Sequence, residues 1–181
     1  EKGHGFVSLK NAMKQSCDTY FYEVARKLGV DRLKITADKF GLGNKVLGEY
    51  FENEKAGQFP DTKWKINELG KGWVLGETLI TGIGQGYTQT TPIQLCLMTA
   101  QIANGGYKIT PKILTDDNQL TSEQIKKAMQ DSKLNNNYEP LYNDQRNIKI
   151  VQETMFSSTN ELRGTSYKSR IEDPKYQFAG K

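Results

Sequence analysis

The chain reads as predominantly helical with a minor strand component, and three observations carry that reading. Apolar residues recur at helical spacing through the first 41 positions, Thr91-Pro92 opens a long apolar run, and two short stretches, "YKITPKIL" and "YQFAGK", have strand character.

Taken in order, Ser8 is an expected N-cap, and Leu9, Ala12 and Met13 give the inward stripe of a short helix to about Gln15. A second helix is expected from about Thr19 with Asp18 as its cap, Phe21, Val24, Ala25 and Leu28 on one face, and Gly29 as its stop. Asp31 is expected to cap a third, with Leu33, Ala37 and Phe40 inward and Gly41 closing it. From Gly43 to Leu79 the periodicity fades, which predicts a long structured loop anchored by Trp64, Ile66, Trp73 and Val74.

Thr91 and Pro92 then supply a cap and an N1 proline for "IQLCLMTAQIANGG", a helix apolar enough to be expected buried on most sides and stopped by Gly105-Gly106. "YKITPKIL", from Tyr107, alternates as a strand that Pro111 pushes to an edge. Residues 115–145 are polar and read as a surface insertion around a short helix, which Thr121 and Gln124 start as a capping box. Ile148, Val151, Gln152 and Met155 predict one more helix, and "YQFAGK" the beginning of a strand.

Charge narrows the function classes. The 25 Lys and Arg against 21 Asp and Glu leave an excess of +4 that is scattered, which argues against nucleic-acid binding. No run approaches the roughly eighteen apolar residues of a membrane span. Cys17 and Cys96 lack Cys-x-x-Cys spacing, and the sequence leaves their pairing open. Both ends read as cut, with no methionine at Glu1 and a stop inside an apparent strand at Lys181.

Among chemical motifs, "GIGQGY" lacks the full spacing of a phosphate loop, so Gly82, Gly84 and Gly86 are expected where backbone passes close to another element. His4 is the sole histidine, and with no Gly-x-Ser-x-Gly a Ser-His-Asp triad is excluded. Ser16-Cys17-Asp18, taken alone, reads as a helix cap.

Five stretches in order change that weighting: "GHG" from Gly3, "SCDTYFYEVARKLGVDRL" from Ser16, "KFGLG" from Lys39, "GETLITGIGQGYTQTTPIQL" from Gly76, and "AGK" ending at Lys181. Together they resemble the transpeptidase domain of class B penicillin-binding proteins, of the elongation type (penicillin-binding protein 2). The resemblance spans nearly the whole chain and is weakest over 115–145.

It implies an α+β fold of the penicillin-binding protein transpeptidase and serine β-lactamase kind: a helical subdomain beside an antiparallel sheet, of which residues 1–181 would be the helical part plus one or two strands. In such proteins three motifs share a cleft: Ser-x-x-Lys with the acylated serine, Ser-x-Asn or Ser-x-Asp, and Lys-Thr/Ser-Gly. Ser16-Cys17-Asp18 matches the second in its aspartate form, which favours the elongation type; Gly180-Lys181 matches the approach to the third, with Lys181 its first residue. No serine here is followed by lysine three residues on, so the nucleophile lies outside this chain, which alone is expected to be inactive.

The implied activity is that of a serine D,D-transpeptidase that cross-links peptidoglycan stem peptides and is inhibited by β-lactams. Ser16 would relay a proton, Asp18 would orient the relay or line the acceptor side, and Lys181 with Gly180 would bind the substrate carboxylate. The implied setting is the bacterial inner membrane, with an upstream anchor, the domain in the periplasm, and a SEDS-type glycan polymerase and elongation-complex proteins as partners. Catalysis would need no cofactor. Some relatives carry a structural zinc, and His4 and Cys17 match two of its four ligands; a buried thiol beside an unrelated histidine is the other reading. The rival functions are a β-lactam sensor domain, which would lack the "GETLITGIGQGY" stretch, and a non-catalytic homologue acting as scaffold, which would lack the upstream serine.

Overall fold

The computed structural model describes residues 3–48, 51–111, 123 and 139–181. Among them the chain forms seven α-helices: α1 Leu9–Lys14, α2 Asp18–Leu28, α3 Val30–Lys39, α4 Thr62–Leu69, α5 Leu75–Thr81, α6 Pro92–Ala103 and α7 Arg146–Asn160. Two 3-10 turns, Tyr167–Ser169 and Pro174–Tyr176, follow. No described helix is long and apolar enough to cross a membrane.

The first three helices form where the apolar spacing predicts, but two of their caps differ. Ser8 Oγ accepts the Asn11 N–H as expected. Gly29, at φ 77°, serves at once as the end of α2 and the start of α3. That leaves Asp31 inside the first turn, where its carboxylate accepts from the N–H and hydroxyl of Thr62, each at 3.0 Å, and so ties α3 to the start of α4. Asp18 likewise is the first residue of α2 rather than its cap, a position that Cys17 takes.

The expected loop over Gly43 to Leu79 contains α4 and α5. Asp61 Oδ1 accepts the Trp64 N–H at 2.6 Å to start α4, left-handed Gly70 ends it, and Glu77 Oε2 accepts the Val74 N–H at 3.0 Å to start α5. Neither helix shows an apolar stripe, because the side chain that α4 buries is Lys65, ion-paired with Glu77 of α5. Ile66 and Val74, expected anchors, are exposed. Trp64 and Trp73 do anchor: Trp64 packs its ring 5.2 Å from that of Tyr87, and Trp73 Nε1 donates to Thr78 Oγ1 at 2.8 Å.

α6 begins as predicted, with Thr91 and Gln94 capping each other. It is not buried on most sides: Leu95 and Cys96 face solvent, while Gln94, Leu97 and Gln101 turn inward. Buried amides must be hydrogen-bonded, and Gln94 Nε2 donates to the carbonyls of Asn44 and Ala56, at 2.7 and 2.6 Å. Gln101 accepts the Ile109 N–H at 3.2 Å. The interior is thus largely polar and small, with Thr154, Ser157, Ser158 and Thr159 of α7 almost fully buried.

No strand forms among the described residues. Of "YKITPKIL", 107–111 are described, and Tyr107 makes only an isolated bridge to Pro140. The stretch expected to start a strand at Tyr176 directs its backbone bonds to α7. Most of the polar insertion, including its capping box, lies outside the described residues. α1 packs on α7 and α2 on α5. At the second seam a Cβ on Gly82 would lie 2.4 Å from that of Ala25, which is the close backbone approach expected there.

Candidate active site

Ser16 owes its placement to the way α1 ends. Its N–H donates to the Met13 carbonyl at 3.2 Å and the Cys17 N–H to that of Ala12 at 2.8 Å, the paired closure that demands a left-handed residue between them. That residue is usually glycine; here it is Ser16 at φ 53°. A β-carbon in this region costs roughly 1–2 kcal/mol. The conformation ends α1 and hands the chain at once to α2, because the Cys17 carbonyl accepts the N–H groups of Tyr20 and Phe21.

Lys181 arrives from the opposite end of the sequence. Its ammonium donates to Ser16 Oγ at 2.7 Å. Partial desolvation lowers the lysine's pKa, and the negative charge of Asp18, in the first turn of α2, acts against that shift. The structure therefore brings Ser16, Asp18 and Lys181 to one place. Gly180 sits against α7, its N–H donating to the Met155 carbonyl at 3.2 Å, and a Cβ added to it would lie 3.2 Å from Thr159 Oγ1.

Cys17 turns the other way, into the interior. Its sulfur lies 3.4 Å from Thr19 Oγ1. That contact, then the His4 side chain, then the Tyr20 N–H bring the thiol down to about 7 against the opposing effect of burial. His4 and Cys17 are thus neighbours. Among the described residues no group of three or more His, Cys, Asp or Glu side chains is placed to hold a metal.

Residues that sequence reasoning missed hold the two motifs in register. Asn160 Nδ2 donates to the Phe178 carbonyl at 2.8 Å. Glu161 pairs with Lys10 at 3.1 Å and Lys14 at 3.0 Å, and accepts from Ser157 Oγ at 2.8 Å. The Thr165 N–H donates to the Lys14 carbonyl at 3.1 Å. The run "SSTNE", small hydroxyls ending a helix, is the only mark these residues leave in the sequence.

Comparison with known proteins gives this geometry a family. Residues 1–181 match the penicillin binding protein transpeptidase domain, and the chain belongs to that family. A curated relative, the peptidoglycan D,D-transpeptidase MrdA of Acinetobacter baumannii, is 34% identical over 99% of this chain and 25% of its own length. The crystal structure of Pseudomonas aeruginosa PBP2 in complex with WCK 5153 is 40% identical and superposes with a TM-score of 0.73 over 90% of this chain and 34% of that one. The complex between PBP2 and MreC of Helicobacter pylori is 28% identical, with a TM-score of 0.75 over 93% and 29% of the respective chains. The fold is accordingly that of the penicillin-binding protein transpeptidases, represented by its helical part. The chain spans about a quarter of the length of the curated relatives it matches.

Proposed function

We propose that the protein carrying this chain is a peptidoglycan D,D-transpeptidase of cell-wall elongation. The observation that supports it best is the hydrogen bond from Lys181 to Ser16, which joins two separated motifs at one point. The reaction is acyl transfer. A serine outside this chain attacks the carbonyl of a D-Ala-D-Ala stem peptide, D-alanine leaves, and an amino group of a neighbouring stem resolves the ester.

Ser16, both donor and acceptor, passes a proton between the nucleophile's lysine and the departing amine. Lys181, with Gly180 before it, holds the terminal carboxylate of the substrate as a positive charge. Asp18 opposes the effect of desolvation on Lys181 and orients the pair. β-Lactams, which imitate D-Ala-D-Ala, acylate the same serine.

The elongation setting follows the MrdA relatives and the MreC complex of a similar protein. On this reading the domain lies in the periplasm, anchored in the inner membrane, beside an MreC-like protein and a SEDS-type polymerase. His4 and Cys17, a nitrogen and a low-pKa thiol side by side, fit two positions of a structural zinc site. The remaining ligands come from outside the described residues.

The test is labelling of the full-length protein with a fluorescent penicillin. Labelling of the wild type, slowed in Ser16→Ala, is the expected result. A wild type that takes no label removes the transpeptidase reading, and an unchanged rate in the variant removes the relay role.

A further inference from the structure

Resting on that reading, we propose that Asn160 is a positioning residue: through its side-chain amide it sets the register of residues 178–181 on α7 and so delivers the Lys181 ammonium to Ser16. The end of α7 and the turn that follows it grip both halves of the site. On one side Glu161 pairs with Lys10 and Lys14 of α1, and the Thr165 N–H bonds the Lys14 carbonyl two residues before Ser16. On the other, Asn160 Nδ2 donates at 2.8 Å to the Phe178 carbonyl while the Gly180 N–H donates to Met155.

These two bonds differ in kind. The Gly180–Met155 bond is between main-chain groups, and one like it can form again after a slip of the segment along the helix. Asn160 removes that freedom. Its amide is held at its own helix by the Phe156 carbonyl at 3.0 Å, so its second hydrogen is aimed at one carbonyl only, that of Phe178. A slip of one residue would carry Lys181 along the helix and away from Ser16.

The experiment uses the full-length protein with Asn160→Asp, which keeps the shape and lacks the donor, and Asn160→Ala. Crystal structures of both should show Lys181 Nζ moved from Ser16 Oγ to beyond hydrogen-bond distance, about 3.5 Å. The second-order rate of penicillin acylation, per folded molecule, should fall tenfold to a hundredfold, on the order expected of a small displacement at a reacting centre. That loss should vanish when Asn160→Ala is made in a Lys181→Ala background, since the two residues act through one contact.

A Lys181–Ser16 contact that persists in both variants, or an equal loss with and without Lys181, overturns the proposal. The second outcome is what general destabilisation gives. If the wild type itself takes no label, the transpeptidase reading fails while the crystallographic distance still decides the role of Asn160. Should the alanine variant not fold, the isosteric Asn160→Asp gives the same two readings.

Discussion

Lys181 and Ser16, 165 positions apart in the chain, meet at 2.7 Å with the lysine donating. The consequence is chemical as well as architectural. A hydroxyl that accepts from an ammonium has its own hydrogen directed elsewhere, so Ser16 presents a donor to whatever occupies the remaining side of the site.

Replacing Lys181 by methionine keeps the stem and removes the charge. Penicillin acylation of the full-length protein should fall about tenfold to a hundredfold, the range of a lost charge-assisted hydrogen bond, mostly as weaker binding of the lactam carboxylate. Stopped-flow measurement against inhibitor concentration separates binding from acylation; an unchanged apparent binding constant refutes the carboxylate role.

Ser16 sits where glycine belongs, so Ser16→Gly should do two opposite things. Relief of the left-handed conformation, less the added freedom of the unfolded chain, should raise stability by up to about 1 kcal/mol. Acylation should slow as it does in Ser16→Ala. Calorimetry and labelling on the same preparation check both, and a destabilised glycine variant shows that the serine side chain supports the fold.

The Lys65–Glu77 pair should be costly to break on one side. Its side chains are only 6% and 15% exposed, and Glu77 also accepts the Val74 N–H. Burial pushes the glutamate's pKa up, yet Lys65, that N–H and Tyr87 together bring it below its usual value. Lys65→Met should destabilise by about 3–5 kcal/mol by leaving a buried carboxylate unpaired, and adding Glu77→Gln should recover part of that loss. Denaturant titration of the single and double variants measures the difference.

Acid should loosen α1 from α7. Ser157, then Lys14 and Lys10, hold Glu161 at about 2, below its ordinary 4.5. Its contribution is therefore complete above pH 4.5 and is lost as pH falls toward 2. Because Glu161 is 41% exposed, solvent screening limits that contribution to about 1 kcal/mol. The pH dependence of stability in Glu161→Gln should be flatter over this window than in the wild type, and parallel curves would exclude the effect.

Zinc content gives a separate check. The full-length protein should carry about one equivalent, lost in Cys17→Ser. Equal metal in both ends that part of the reading.

The helices with apolar stripes were legible from sequence, as was the meeting of Ser16 and Lys181 through the family resemblance. α4 and α5 were not, because what α4 buries is Lys65, and a charge that finds its partner twelve residues later leaves no apolar period. The burial of α6 was misjudged for a related reason: its inward face carries Gln94 and Gln101, whose amides replace loop hydrogen bonds with water. Asp18 was read as a cap because its residue type favours that position, whereas the closure of α1 through Ser16 and Cys17 lets α2 start one residue earlier. The segments read as strands have no strand partner among the described residues, and pairing is a property that alternation alone does not supply.

Since both halves of the site hang from the end of α7 and the turn that follows it, a tilt or translation of that helix carries Ser16 and Lys181 along together. Such common-mode motion leaves their separation unchanged; only differential motion, of one attachment against the other, alters it. The gap is in effect referenced to a single fixed jaw, as in a caliper, with a few hydrogen bonds and ion pairs at one helix end setting it.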